Sequence, residues 1–203
     1  AAAVPIAGVT ALQALRDEGH LQAGQKVLIN GASGGVGTFA VQIAKSLGAT
    51  VTGVCSGRSA DLVRSLGADH IIDYTKEDFT KGAQRYDLIL DCVGTQPLLG
   101  FKRVLTPHGT CVLIGGGGID EGRWLGPMTR PLKALILSPF INQKMGMMMA
   151  QMSHDNLREL ADLMQVGKVT PAIDRTYKLR ETPEAVRYLE KGHAHGKVIV
   201  TVE

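Results

Sequence analysis

Gly31, Gly34 and Gly37 recur at steps of three between an apolar run and an amphipathic stretch. That placement limits the fold of this 203-residue chain more than any other feature. The run Val27-Leu28-Ile29 ends in Asn30-Gly31. Val36, Phe39, Ala40, Ile43, Ala44 and Leu47 then follow at the spacing of one helix face, and Gly48 sits where a helix commonly stops. A strand, a glycine-rich turn and a helix in succession bring backbone N–H groups close to an anion, because the first turn of a helix leaves its donors unpaired. Gly35-Val36-Gly37-Thr38-Phe39-Ala40 also fits Gly-x-Gly-x-x-Ala, the spacing that meets a dinucleotide pyrophosphate. The glycines Gly31, Gly34, Gly35 and Gly37 and the N–H groups of the helix start are therefore a candidate phosphate-binding turn, to which Ser33 could add a hydroxyl donor. Thr38 follows Gly37 with no Lys before it, which excludes a P-loop.

Further strand and helix patterns alternate along the chain. Val51–Cys55 is a β-branched run, Ser59 is placed to cap a helix carrying Leu62, Val63 and Leu66, and Ile71-Ile72 reads as a short strand. Leu88–Cys92 and Cys111–Ile114 read as strands with a helix over Leu98–Leu105 between them. The spacing predicts a sixth strand near Met145–Met149, with the methionines of this stretch in a buried strand and a helix start. Alternating strands and helices imply right-handed crossovers and a doubly wound parallel α/β sheet of six strands over residues 24–150, within a dinucleotide-binding domain of residues 1–150. Gly115–Gly118 and the segment after it read as a loop that could cover a ligand.

Residues 151–203 differ. Ser153 is placed to cap a helix with Leu157, Leu160, Ala161 and Met164 inward, Thr170–Leu179 looks extended, and Thr182-Pro183-Glu184 starts another helix with Thr182 as its cap. Val198–Val202 is a final strand.

Composition narrows the function classes. With 22 Lys+Arg against 19 Asp+Glu, the net charge of +3 lacks the basic surplus of a nucleic-acid protein. No apolar run approaches the roughly 18–20 residues of a membrane span. Neither nucleic acid nor membrane is an expected partner. Cys55, Cys92 and Cys111 are few, lie far apart in apolar runs and have no zinc-ligand spacing, so they read as core residues in a reducing compartment and no metal site is expected. The expected location is intracellular: cytoplasmic, or an organelle such as the mitochondrion where a transit peptide precedes Ala1.

The end of the second strand reads Val54-Cys55-Ser56-Gly57-Arg58-Ser59. An NAD-preferring site carries an acid there for the ribose 2′-hydroxyl, and none occurs before Asp61. Arg58 is positioned to pair with a 2′-phosphate and Ser56 to hydrogen-bond it, which favours NADP. No Tyr is followed four residues later by Lys, since those positions hold Asp78, Leu90, Glu181 and Gly192; this disfavours the short-chain dehydrogenases.

These residues, with Ala7–Leu15, Leu66–Tyr74, Tyr86–Gly94 and Gly192–Val198, resemble the medium-chain dehydrogenase/reductase superfamily. The likeness is to its zinc-independent quinone oxidoreductase branch, which includes the reticulon-interacting mitochondrial oxidoreductases. The resemblance implies that Ser33, Gly35 and Val36 contact the pyrophosphate, that Tyr74 lies by the adenosine end of the cofactor, that Cys92, Val93 and Gly94 run along it, and that Leu113–Gly115 approach the nicotinamide. It implies that His193 and His195 belong to a cofactor-contacting turn that often reads His-Ala-Arg; here His195 replaces the Arg. It also implies an N-terminal GroES-like substrate domain ahead of this chain, which the tail would complete, and a homodimer. The implied activity is NADPH-dependent hydride transfer to a small quinone, enone or related activated carbonyl. A non-catalytic NADP-binding module and a zinc alcohol dehydrogenase of the same superfamily are the alternatives. No catalytic residue is assigned.

Overall fold

The computed structural model describes residues 2–114, 143–192 and 194–202. The expected loop beginning at Gly115 lies outside them, as does His193. The chain opens with α1 (Pro5–Gln13), which runs on through a π-helical turn to Glu18. Then come β1 (Lys26–Asn30), α2 (Gly37–Ser46), β2 (Thr50–Cys55), α3 (Ala60–Ser65) and β3 (His70–Asp73). The second half of the sheet is β4 (Tyr86–Asp91), α4 (Leu98–Val104), β5 (Leu105–Ile114) and β6 (Lys144–Met148). The tail contributes α5 (His154–Gln165), β7 (Ile173–Lys178), α6 (Thr182–Glu190) and β8 (Lys197–Thr201).

Among the described residues, strands β1 to β6 pair in parallel in the order β3-β2-β1-β4-β5-β6. The order reverses between β1 and β4, where Asn30 is registered with Asp91. Crossovers leave the sheet there in opposite directions, so the carboxyl ends of β1 and β4 bound a crevice.

Strand residues alternate between two apolar layers, which is why the strands read as unbroken apolar runs. Val27, Ile29, Leu88 and Leu90 pack with Leu12, Leu15, Phe39 and Ile43 on one face. Leu28, Val54 and Ile89 face Phe79, Phe101 and Val104 on the other, with the Phe79 and Phe101 rings 6.1 Å apart. Leu160 and Val169 join the first layer, so the beginning of the tail shares the core of the sheet. Arg16 ties α1 to α5 through Glu159 and Asn156. Strands β7 and β8 form a separate parallel pair.

Several local expectations need correction. Ser59 precedes α3 but does not cap it; its hydroxyl lies 3.1 Å from that of Ser56. Ser153 does cap α5, accepting from the Asn156 N–H, yet the buried face runs through Asn156 and Leu160 while Leu157 and Ala161 are exposed. The asparagine was invisible to a hydrophobic count because its amide is buried by pairing with Arg16. Thr182 is the first residue of α6, and its hydroxyl donates back to the Leu179 carbonyl. The methionine stretch is buried only in part: among the described strands β6 is an outer one, Met148 is inside and Met145 packs partly against the core, whereas Met149 is 81% exposed.

Candidate functional site

The turn after β1 is shaped by close backbone approaches. Gly31 has φ 84°, in the left-handed region that a side chain opposes. The N–H groups of Gly31 and Ala32 both donate to the Val54 carbonyl, at 3.1 and 3.0 Å, which folds the chain over the end of β2. Gly34 N–H then bonds the Gly31 carbonyl, and Thr38 N–H bonds that of Gly34. A Cβ on Gly37 would collide with the Gly31 carbonyl oxygen and come within 2.8 Å of the Ala32 Cα. Only glycine lets α2 begin this close to the strand it follows. At Gly35 the nearest atom to such a Cβ is Cδ of Lys197, at 3.1 Å, the movable part of a long side chain.

Beside this turn, Asn30 and Asp91 meet where the strand order reverses. Asn30 Nδ2 donates to Asp91 Oδ1 at 2.9 Å, and the same oxygen accepts from Val93 N–H and Gly94 N–H at 3.2 and 3.0 Å. Both side chains are buried. The carboxylate thereby folds the loop after β4 against the glycine-rich turn. Sequence reading missed both residues, although a polar residue closing each of two apolar runs was a usable signal.

These elements enclose a cleft of about 630 Å³, within the size range of small-molecule and cofactor sites. Ser33, Gly34, Gly35 and Val36 line it, opposite Tyr74 from the loop after β3. Cys92 and Val93 add a third wall, and Ala194 and Lys197 a fourth. Burial and the neighbouring Asp91 push the Cys92 thiol up to about 12, so it stays protonated near neutral pH and offers no thiolate.

Other expected site residues stand apart from the lining. Ser56 and Arg58 lie just beyond Cys55, a lining residue, on a 3-10 turn over Gly57–Ser59 with Arg58 exposed. Asp73, in the loop beside that turn, accepts from the Thr75 hydroxyl at 2.7 Å and the Thr75 N–H at 3.0 Å, and these two bonds, the hydroxyl first, hold its carboxyl below its usual range. Gly94 is occupied in the Asp91 loop. Leu113 is buried in the core, and Ile114, one residue on, lines the cleft instead, because successive strand residues face opposite ways. His195 is half-buried and donates its N–H to Asp174 at 3.0 Å. Gly115 and His193 lie outside the described residues.

A glycine-rich β–α turn at the crevice of a sheet ordered β3-β2-β1-β4-β5-β6 defines a dinucleotide-binding fold of the Rossmann type. The chain belongs to the zinc-binding dehydrogenase family of the medium-chain dehydrogenase/reductase superfamily, whose family model matches residues 66–200. It is 39% identical over 222 residues to the mitochondrial NAD(P)H oxidoreductase RTN4IP1 of Mus musculus, a match covering 100% of this chain and 55% of the relative. A chloroplast envelope quinone oxidoreductase homolog of Arabidopsis thaliana is 34% identical, with 98% of this chain and 61% of that protein covered. Among solved structures, the quinone oxidoreductase of Coxiella burnetii superposes with a TM-score of 0.83 at 31% identity, covering 100% of this chain and 60% of that one. The chain thus spans a little over half the length of these relatives. Among the described residues no three His, Cys, Asp or Glu side chains gather to hold the metal in the family's name. The residues present do fit a dinucleotide: the cradle at Gly35 is one that a larger side chain would fill, and Lys197 brings a cation to it.

Proposed function

We propose that the protein is an NADPH-dependent oxidoreductase that passes hydride to a quinone, enone or related activated carbonyl without zinc. The observation that carries this reading is the glycine-rich turn opening onto the cleft where the strand order reverses. The names of the relatives from mouse, Arabidopsis and Coxiella, each an oxidoreductase, support the reaction class. The nicotinamide, when bound, supplies the hydride chemistry. The chain's own residues bind and orient. Backbone N–H groups over Ser33–Val36 and the α2 dipole receive the pyrophosphate, with the Lys197 ammonium beside Gly35. Ser56 and Arg58 receive the adenosine 2′-phosphate, where an acid at the end of β2 would instead select NAD. Tyr74, 60% exposed, stands at the adenosine side, and Cys92–Gly94 run along the cofactor. Ile114 borders the nicotinamide side, so Leu113 would act through its backbone there.

No proton donor is assigned. The wall that would exclude water and stabilise the developing anion belongs in this reading to a GroES-like domain in a longer protein, toward which residues 151–203 return. A homodimer and an intracellular location, organellar as in the names of the mouse mitochondrial and Arabidopsis chloroplast envelope relatives, belong to the same proposal. The test is NADPH oxidation by the longer protein and by these 203 residues against a panel of quinones and enones. The expected result is turnover by the longer protein and little by the shorter. Binding without turnover in both would instead favour a non-catalytic dinucleotide module.

A further inference from the structure

Ala194 and Lys197 wall the cleft from the far end of the sequence, and Asp174 and Tyr188, the side chains behind their turn, are not among its lining residues. Gly196 N–H donates to the Ser33 carbonyl at 2.8 Å, and Lys197 N–H to the Ala172 carbonyl at 2.8 Å. Gly196 has φ 88°, and a Cβ on it would collide with the Ala172 carbonyl oxygen, so this turn has one backbone path. Behind it, Asp174 of β7 accepts from His195 N–H at 3.0 Å and from the Tyr188 hydroxyl of α6 at 2.7 Å, both through Oδ2. The guanidinium of Arg175 lies 4.0 Å from the centre of the Tyr188 ring, a cation–π contact that fixes the ring. One carboxylate oxygen therefore joins a strand, a helix and the cofactor-side turn.

We propose that Asp174 and Tyr188 are positioning residues for dinucleotide binding: they latch residues 194–197 onto the glycine-rich loop, and so hold Ala194 and Lys197 at the pyrophosphate end of the cleft. This rests on the dinucleotide reading above. The geometry supports the role because Asp174 lies outside the cleft lining, yet the turn it holds reaches Ser33 directly. The polar contacts are also charge-assisted: although burial works against the Asp174 charge, the Tyr188 hydroxyl and His195 N–H hold its carboxyl below the usual range.

The experiment is fluorescence titration of the wild type and of Asp174→Ala, Asp174→Asn and Tyr188→Phe with NADPH and with 2′-AMP, which lacks the pyrophosphate. Arg187→Ala, an exposed change on the same helix, is the control. Tyr188→Phe keeps the ring and removes only the hydroxyl. It should weaken NADPH about 5- to 10-fold, Asp174→Ala about 10-fold or more, and Asp174→Asn less than Asp174→Ala because its amide oxygen still accepts. Affinity for 2′-AMP should stay within about 2-fold throughout, since that probe avoids the latched end; a general loss of structure would weaken both probes. NADPH binding unchanged in a folded Tyr188→Phe and Asp174→Ala, or equal losses for both probes, would overturn the latch while leaving the cofactor reading intact. Failure of the wild type to bind NADPH or NADH would overturn the cofactor reading, and the latch with it.

Discussion

The glycine-rich turn over Gly31–Gly37 and the tail turn over residues 194–197 face each other across one cleft, but they are specified differently. The first is mostly local: Gly34 and Gly37 are fixed by backbone bonds and close approaches within a few residues, and only the Gly31 and Ala32 N–H groups reach further, to the Val54 carbonyl of the adjacent strand. The second depends on partners far along the chain or on another element, namely Ser33, Ala172, Asp174 and Tyr188. The surroundings differ too. Phe39, Val41 and Ile43 behind the first turn are fully buried, whereas Ile173, Val186 and Leu189 around the second are about half exposed. Local backbone geometry and a closed core should make the first region rigid, and the second should open more readily.

The sharpest break of this contrast is Gly37→Val. Its side chain would drive into the Gly31 carbonyl and the Ala32 backbone, and the stability loss should be about 3 kcal/mol or more by chemical denaturation. Arg58→Ala tests the adenosine side of the same region. It should weaken NADPH about 10- to 100-fold by calorimetry and NADH little, because a charge-assisted hydrogen bond is worth about 1.5–3 kcal/mol. In the tail, Gly196→Ala should cost about 1–2 kcal/mol from the left-handed backbone alone. Hydrogen exchange should locate that loss in β7, β8 and α6 while β1 and β4 keep their protection.

The smallest effect concerns acid. Each region holds a carboxylate of lowered pKa: Asp174 in the tail and Asp69 beside β2. Burial works against the Asp69 charge, but the Val51 N–H at 2.7 Å and Lys45 at 2.9 Å outweigh it. A carboxyl with a lowered folded-state pKa adds stability above its unfolded value of about 4, and that contribution is lost as pH falls through the folded value. The stability gap between wild type and Asp69→Asn should therefore shrink below about pH 4. A gap that widened there would reverse the assignment.

The same local-versus-distant contrast explains what was legible in the sequence. Strands β1 to β5 and helix α2 follow from runs and spacings within a few residues, and the glycine turn from three positions. Side-chain facing was harder. Leu113 and Ile114 look interchangeable as residues at a strand end, yet one is core and the other lines the cleft. Leu157 and Ala161 suit an inward face until Arg16, distant in sequence, draws Asn156 inside instead. Asn30 with Asp91, and Asp174 with Tyr188 and His195, stayed hidden because a polar residue gives no sign of its partner until the fold brings the two together.

The central claim is that the cleft beside Gly35 receives a dinucleotide pyrophosphate. The most direct measurement is calorimetric titration of NADPH into the wild type and Gly35→Val, with thermal unfolding of both. In the absence of ligand the new side chain meets chiefly the movable Lys197, so the unfolding temperature should change little. The affinity should fall by about 100-fold or more, because the valine occupies space the phosphates need. A Gly35→Val protein that stays folded and binds NADPH as tightly as the wild type would contradict the account.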